Sequence, residues 1–433
     1  MGGGGEAFPF RSFEKRASCA GAAGGTACAA FFIHTCLHLP TSMPRMFLRF
    51  CRFACLPSFF SITTAITMSA SNTSAPSASA KSLLTAYVGT YTRNSDSRGV
   101  YRIRFDTTSG AFSQPELVAE LTNPSFVAIR PDRRTLYVVS EASQAVHAFA
   151  GVEADTGALV ALNDAPTRGA GPCDVAVDVT GRTLAVANYS AGSITAWRIE
   201  DDGRVGAETA FFQNTHASKA HAKRQATPHA HGVTFSPDNR LLLVPDLGGD
   251  RVYVFRHDAA TSVLTPHESA PWIELPGGSG PRHGVFSPDG RHFYVINELA
   301  NTVSVFGYNA AEGTFISIEH ITTLPGTFTG ESTTAELALT PDGLTLYGSN
   351  RGHDSLARFR RDPESGRLSP VDHVSSGGRG PRHFTLTPDA RWLVAANQNS
   401  NNLAVFRVGA DGALTKLDGA DAVVGAPVCV KFR

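Results

Sequence analysis

Short apolar runs separated by polar turns recur from about residue 84 to the C-terminus. In each unit an apolar run ends at a turn such as Ser-Pro-Asp-Gly, and a second apolar run follows. A polar bend comes next, then a third run in which apolar and polar residues alternate, and some units add a less regular fourth run. This pattern predicts antiparallel strands joined by tight turns.

The turns define a repeat. Their second residue falls at positions 131, 179, 237, 288, 341 and 388, so neighbouring units are 47 to 58 residues apart. The two most alike units begin with GPRHGVFSPDGRHFYVIN from Gly280 and GPRHFTLTPDARWLVAAN from Gly380. Four antiparallel strands in every unit of about 50 residues are typical of a β-propeller blade. The sequence therefore predicts an all-β propeller.

The two chain ends supply a seventh unit. The segment from Thr85 matches a second and a third strand but has no first strand before it, whereas residues 426–433, APVCVKFR, match a first strand and have no second. We predict that this last strand completes the N-terminal blade. The closed ring of seven four-stranded blades then has no open sheet edge.

Composition separates residues 1–80 from residues 81–433. The chain has 433 residues and no net charge, but residues 1–80 hold six Lys/Arg, two Asp/Glu and five of the seven cysteines. The remainder is therefore not a disulfide scaffold and suits a reducing compartment. It has no broad basic field, which argues against a nucleic acid partner. We interpret residues 1–80 as a leader and linker, and residues 81–433 as the propeller.

The leader has two interpretations. Residues 43–80 are either a signal peptide, with Arg45, Arg49 and Arg52 before a weakly apolar stretch, or the product of a start codon assigned too early. No stretch is long and apolar enough to predict a membrane span. We expect a cytoplasmic protein, or an exported one if residues 43–80 are a signal peptide.

In this topology the inner strands begin, and the second strands end, on one face of the ring, which we call the site rim. Inner strands bring Pro-Arg-His to it twice, at 281–283 and 381–383, and Pro-His-Ala-His once, at 228–231. The opposite rim carries the repeated Pro-Asp-Gly turns, so the varied polar residues mark the site rim as functional. The ends of the second strands add Glu141, Asn188, Asp246, Glu298, Arg351, His353 and Asn397, and the connection 213–230 adds Lys219, His221, Lys223 and Arg224, which favour an anionic ligand.

His229 and His231 are two residues apart on an extended run, so their side chains can share a direction. They could be a metal pair, although zinc sites usually need three or four ligands. One could be a general base that acts as a neutral imidazole. Both could also be rim residues without a function.

The register of His231 is ambiguous. Aligned on the turns, it matches Arg282 rather than the neighbouring His283, but Thr234 could be an inserted residue that shifts this register. A shift by one residue exchanges the two faces of a strand, so alternation does not decide which ring faces the channel. On the same alignment His231 also matches Arg382 rather than its neighbour His383.

The arginines also have two interpretations. Arg282 and Arg382 could form rim salt bridges, or they could bind a phosphate or carboxylate or stabilise an oxyanion. Glu298 and Arg351 end neighbouring second strands and could simply pair with each other. Cys173 occupies the position of Arg282 in its blade, but a nucleophilic thiol needs a base and a lowered pKa, and the sequence shows neither.

Six motifs carry a resemblance that spans the whole propeller. The sequence resembles the seven-bladed β-propeller lactonase family, which includes 6-phosphogluconolactonases and the related carboxy-cis,cis-muconate cyclase. The motifs are YVGTYT at 87–92, RQATPHAHGVTFSPD at 224–238, GPRHGVFSPDGRHFYVINEL at 280–299, SNRGHDSLARF at 349–359, GPRHFTLTPD at 380–389 and APVCVKF at 426–432.

The resemblance implies an enzyme that hydrolyses a small anionic lactone, 6-phosphogluconolactone, without a metal or another cofactor. From the charge and hydropathy of the sequence we expect no nucleic acid or membrane partner. Muconate lactonisation and a non-catalytic propeller that binds a ligand or protein on the same rim are the alternatives. The catalytic set proposed in the family falls here on His231, Arg282, Glu298 and Arg351. The candidate substrate-binding residues are Arg224, His229, His283, Arg382 and His383.

Overall fold

The computed structural model describes residues 83–154 and 156–433, and the predicted leader lies outside the described residues. The described chain forms strands throughout and contains no helix, so it offers none that is long and apolar enough to cross a membrane. In chain order the first fifteen strands are β1 (Leu83–Thr90), β2 (Gly99–Asp106), β3 (Glu116–Glu120), β4 (Pro124–Ile129), β5 (Thr135–Ser140), β6 (Ala145–Ala150), β7 (Val160–Pro166), β8 (Pro172–Val177), β9 (Thr183–Asn188), β10 (Ser193–Ile199), β11 (Val205–Gln213), β12 (Thr234–Phe235), β13 (Leu241–Asp246), β14 (Arg251–Asp258) and β15 (Val263–Pro266).

The second half of the chain repeats the same arrangement. Its strands are β16 (Trp272–Glu274), β17 (Pro281–Phe286), β18 (His292–Asn297), β19 (Thr302–Asn309), β20 (Thr314–Thr322), β21 (Thr333–Leu339), β22 (Thr345–Arg351), β23 (Ser355–Arg361), β24 (Leu368–Ser375), β25 (Pro381–Leu386), β26 (Trp392–Asn397), β27 (Asn402–Val408), β28 (Leu414–Lys416), β29 (Ala422–Val423) and β30 (Pro427–Phe432).

These strands form seven antiparallel sheets, which confirms the predicted seven-bladed propeller. Blade one has the order β30-β1-β2-β3 from the axis outward, and blades two and three are β4 to β7 and β8 to β11. Blade four is β12 to β15, with β16 also paired to β14. Blades five, six and seven are β17 to β20, β21 to β24 and β25 to β28, with β29 paired to β27.

The last strand closes the ring as predicted. β30 pairs with β1 from Ala86 opposite Phe432 to Thr90 opposite Pro427. The backbone N–H of Arg433 also donates to the carbonyl of Thr85 at 2.8 Å. The first and last segments of the described chain therefore share one blade, and neither leaves an unpaired inner edge.

Blades pack through apolar second strands and a repeated polar tie. Every residue of β5, β13, β18 and β26 is buried, because each second strand is covered on both faces by neighbouring blades. A buried tyrosine of one blade donates its hydroxyl to a carbonyl of the next, over 2.6 to 3.0 Å, in four places: Tyr87 to Val152, Tyr137 to Gly203, Tyr294 to Gly366, and Tyr347 to Gly412.

Inner strands carry a bulge at their second residue. In blade five, Pro281 pairs with Asn297 and His283 with Ile296, so Arg282 is an extra residue, and Arg382 has the same position in blade seven. Consecutive side chains of a regular strand point to opposite faces, but a bulge re-aims one of them. Arg282 and His283 are therefore both buried on the channel side. In each repeated Arg-His pair the arginine is therefore the extra residue of the bulge, and the histidine is the residue at which pairing resumes.

The bulge also resolves the register of His231. In blade four Ala230 bridges Asp246 and Thr234 pairs with Leu243, just as Pro281 pairs with Asn297 and Val285 with Tyr294 in blade five. Thr234 is therefore not an insertion, and His231 is equivalent to the bulge arginines.

We predict that deletion of residues 426–433 abolishes cooperative unfolding, because blade one loses its inner strand and β1 is left with an open edge. Thermal unfolding followed by circular dichroism measures this. The control is a chain that begins at Lys81, which should keep the wild-type transition since β1 starts at Leu83. A C-terminal deletion with an unchanged transition would refute closure by β30.

Candidate active site

Two structurally repeated positions form a cavity on the site rim. One is the bulge position of the inner strand, and the other is the rim end of the second strand. The cavity has a volume of about 350 Å³, at the small end of the range for ligand sites. Its walls contain Tyr91, Glu141, Gly171, Cys173, Tyr189, Ser190, Arg224, His231, Glu298, Thr333, Arg351 and Arg382.

The Glu298 carboxylate is the centre of the charged groups. Its Oε2 lies 2.9 Å from Nη2 of Arg351, 3.2 Å from Nε of Arg282 and 3.8 Å from Nε2 of His231. Its Oε1 accepts a hydrogen bond from Nη2 of Arg224 at 2.5 Å. The structure thus brings together all four candidate catalytic residues and one candidate binding residue.

The charges of this cluster keep Glu298 ionised. Burial alone would raise its pKa, but the charges of Arg351, Arg282 and Arg224 outweigh burial and hold the pKa well below the ordinary value of 4.5. Burial, with a smaller contribution from Arg282, lowers the pKa of Arg351 to about 10 despite the carboxylate. Arg351 therefore stays charged at neutral pH.

His231 is a neutral imidazole in this setting. Burial, followed by the charge of Arg282, lowers its pKa well below 6.5, and Glu298 only partly opposes them. Its backbone N–H donates to the carbonyl of Pro245 at 2.9 Å, and its ring meets the edge of Tyr189 with centroids 5.2 Å apart. A fixed, neutral imidazole in a cavity wall is suited to accept a proton.

Cys173 lines the cavity beside His231 as a protonated thiol. Its Sγ lies 3.9 Å from Nδ1 of His231 and donates to the carbonyl of His231 at 3.4 Å. Burial raises the thiol pKa well above 9, and Asp174 and Glu141 add to the rise. A thiol in this state is a poor nucleophile.

Arg382 belongs to a second group of cavity-lining residues. Its Nη2 donates to the hydroxyl of Tyr91 at 3.0 Å, and this hydroxyl donates to Oε1 of Glu141 at 2.8 Å. Burial raises the pKa of Tyr91 to about 12, so the phenol stays protonated. Among the described residues Arg382 has no carboxylate within ion-pair distance, so its charge is available to an anionic ligand.

The Arg282 side chain and three histidines lie outside the cavity wall. Arg282 is buried behind Glu298 and donates to the carbonyl of Ala335 at 2.6 Å. His229 stacks on Tyr189 with centroids 4.5 Å apart and bonds the Tyr189 carbonyl through Nδ1 at 2.9 Å. His283 and His383 lie deeper in the channel, where each contacts Glu336, at 3.0 and 3.4 Å.

Three polar residues near the ends of second strands have structural partners. Asn188 and Asn397 donate to the carbonyls of Thr167 and Ser376, and Asp246 accepts the backbone N–H of His229. They stand one position before the place that Glu298 occupies in its own blade. Sequence reasoning missed Tyr91 and Tyr189, which the repeat alignment could have found, because they occupy the position of Glu298 in their own blades.

The histidines and acids do not form an evident metal site. Among residues 83–154 and 156–433, no group of three or more His, Cys, Asp or Glu side chains is arranged to hold a metal ion.

The fold and the cavity define a seven-bladed β-propeller with a charged pocket at one end of its channel. Residues 85–432 match the sequence profile of the family described as lactonase, 7-bladed beta-propeller. The chain belongs to this family.

Two relatives and one solved structure show the similarity of this chain to known lactonases. A 6-phosphogluconolactonase from Bacillus subtilis is 36% identical over 349 residues, which cover 80% of this chain and 97% of the relative. A 6-phosphogluconolactonase from Formosa agariphila is 30% identical over 74% of this chain and 91% of its own. The structure of a periplasmic gluconolactonase from Pseudomonas aeruginosa superposes with a TM-score of 0.75 at 34% identity, over 81% of this chain and 99% of that one.

We predict that Glu298→Gln destabilises the fold, by on the order of 3 kcal/mol at pH 7, because it leaves buried guanidinium groups without their carboxylate. The folded pKa of Glu298 is lowered, so its contribution is present above the unfolded pKa of 4.5 and is lost as the pH falls through the folded pKa. The wild-type advantage in thermal unfolding should therefore shrink in acid.

Glu364→Gln is the matched control, because Glu364 is exposed and no described cation lies within ion-pair distance of it. This variant should unfold like the wild type at every pH. Equal stability of Glu298→Gln and the wild type at pH 7 would contradict the central role of the Glu298 carboxylate.

Proposed function

We propose that this chain hydrolyses 6-phosphogluconolactone to 6-phosphogluconate. The observation that carries the proposal is that neutral His231 and the guanidinium groups of Arg351 and Arg382 line one small cavity. Ester hydrolysis needs a base for water and positive charge for the oxyanion, and this cavity supplies both. The names of the relatives from Bacillus subtilis and Formosa agariphila supply the substrate.

His231 acts as the general base. It takes a proton from water as the water oxygen bonds to the lactone carbonyl carbon. The carbonyl oxygen then carries the negative charge of a tetrahedral intermediate, which a guanidinium stabilises. When the intermediate collapses, the bond to the ring oxygen breaks and this oxygen takes the proton back from the imidazolium. The base is regenerated and the product is the open-chain acid.

The arginines divide the remaining tasks. Arg351 and Arg382 reach the cavity and contact the substrate, one at the oxyanion and one at the phosphate, which carries a charge of about −1.5 to −2 at pH 7. Arg282 is buried and acts through Glu298 and His231, so it is a positioning residue. Lys219 and Lys223 on the connection 213–230 are exposed, and they add positive charge beside Arg224 that attracts the phosphate.

A cytoplasmic location fits a phosphorylated substrate, because the phosphate charge opposes passage across a membrane. The periplasmic gluconolactonase shows that the same fold can work outside the cytoplasm. Mass spectrometry of the native N-terminus tests this part of the proposal. Secretory cleavage within residues 43–80 would contradict it.

His231→Ala should lower kcat/KM for 6-phosphogluconolactone by about 10²-fold or more, because a positioned base contributes about 10²–10⁴-fold. The assay follows acid release after subtraction of spontaneous hydrolysis. His353→Ala is the matched control, since this rim histidine packs on Phe328 and does not line the cavity. Unchanged turnover in His231→Ala, or muconate lactonisation without lactone hydrolysis in the wild type, would refute the proposal.

The pH profile gives an independent test of the base. The lowered pKa of His231 keeps the imidazole neutral and active through pH 6.5, whereas an ordinary histidine would be half protonated there. We predict that kcat/KM for glucono-1,5-lactone, which has no phosphate to titrate, stays constant through pH 6.5 and falls only at lower pH. A midpoint at or above 6.5 would show that His231 is not the base.

A further inference from the structure

A second cavity opens on the site rim beside the candidate active site. It has a volume of about 740 Å³, roughly twice that of the first. The two cavities share Tyr91, Glu141, Gly171 and Ser190 in their walls, so a ligand can extend from one into the other. We call this second cavity the amide cleft, because side-chain amides from blades one, two and seven line it.

The amides of the cleft have unused hydrogen-bonding capacity. Asn94, Gln144, Gln398 and Asn399 come from three bends that follow second strands. Within the described part of the chain, their side-chain amides have no hydrogen-bond partner. Asn123 differs, because its Oδ1 accepts bonds from the backbone N–H groups of Thr92 and Arg93 and holds a neighbouring bend in place. The bend that Asn123 holds carries Asn94, and the bends after β5 and β26 bring Gln144, Gln398 and Asn399 to the cleft.

The two cavities have different charges. The walls of the candidate active site contain three arginines and two carboxylates, whereas Arg93 and Glu141 are the only charged residues among the described walls of the amide cleft. A side-chain amide both donates and accepts hydrogen bonds, as a sugar hydroxyl does. The active-site cavity is suited to bind a ligand group that is anionic or becomes negatively charged during the reaction. The amide cleft is suited to bind neutral hydroxyl groups.

The geometry also gives the ligand one direction in which to extend. Arg224 bridges the Tyr189 hydroxyl, at 3.1 Å, and the Glu298 carboxylate, so the connection 213–230 covers the active-site cavity on that side. The amide cleft lies on the side of Tyr91 and Glu141 instead. The side of Tyr91 and Glu141 is therefore the direction in which a longer ligand can extend.

We propose that the amide cleft is a subsite for an uncharged sugar unit attached to the lactone, so that the protein hydrolyses lactones of disaccharide aldonic acids. This inference rests on the proposed lactone hydrolysis and extends its substrate class. The hydroxyl groups of the sugar unit lie against Gln144 and Gln398. The lactone ring to which this unit is attached lies between His231 and Arg351.

The experiment compares kcat/KM for cellobiono-1,5-lactone, glucono-1,5-lactone and 6-phosphogluconolactone. Two or three added hydrogen bonds should make cellobionolactone about tenfold better than gluconolactone. Ala142→Trp fills the cleft, because Ala142 is exposed and lines this cleft but not the active-site cavity. This variant should remove the preference for cellobionolactone. Gln398→Ala and Gln144→Ala should each reduce it about threefold.

Gln114→Ala is the control variant, because Gln114 is exposed and lies on the opposite rim, between β2 and β3. It should leave all three rates unchanged. If no lactone is hydrolysed, the proposed function itself fails. If gluconolactone is hydrolysed but cellobionolactone is no better, or Ala142→Trp leaves the preference intact, the subsite is refuted. A loss of activity confined to 6-phosphogluconolactone in Ala142→Trp would assign the cleft to the phosphate and also overturn the inference.

Discussion

The candidate active site depends on one buried carboxylate surrounded by cations. Glu298 balances the charges of Arg351, Arg282 and Arg224, which would otherwise repel one another at this rim. Because these residues come from different blades, the ion cluster also joins blades four, five and six at the rim. The residues that balance the charge of Glu298 are therefore also the residues of the candidate site. A substitution at one of them changes both the local charge and the geometry of the site.

The propeller repeat explains how such a cluster arises. Each blade offers a bulge position and a second-strand end at the same height around the channel, so seven blades give fourteen rim positions with a common geometry. The scaffold places the backbone, and the residue type alone decides the chemistry of each position. Arginine, histidine and glutamate residues from blades four to seven give the candidate active-site cavity its charges. Side-chain amides from blades seven, one and two form the amide cleft.

Much of the fold could be predicted from the sequence, because each blade repeats local signals: apolar runs, Pro-Asp-Gly turns and polar bends. Ring closure followed from two incomplete end units, APVCVKFR and the segment from Thr85. The contacts within the candidate site were harder to predict from the sequence. The bulge that separates Arg282 from His283 leaves no mark in a hydrophobic pattern, so the sequence could not tell that Arg282 contacts Glu298 while His283 contacts Glu336. Tyr91 and Tyr189 were missed because a lone tyrosine after a strand looks like an ordinary packing residue.

The bulge has a further consequence for the chemistry of His231. It stands at the arginine position of its blade, so it lies at the same height as Arg282 and Arg382. Burial, followed by the charge of Arg282 and more weakly that of Arg382, lowers its pKa, while Glu298 partly opposes this shift. An imidazole one position further along the strand would instead occupy the level of His283 and Glu336, behind the cavity wall. The register of a single bulge thus determines whether this histidine lines the cavity or lies in the channel at the level of Glu336.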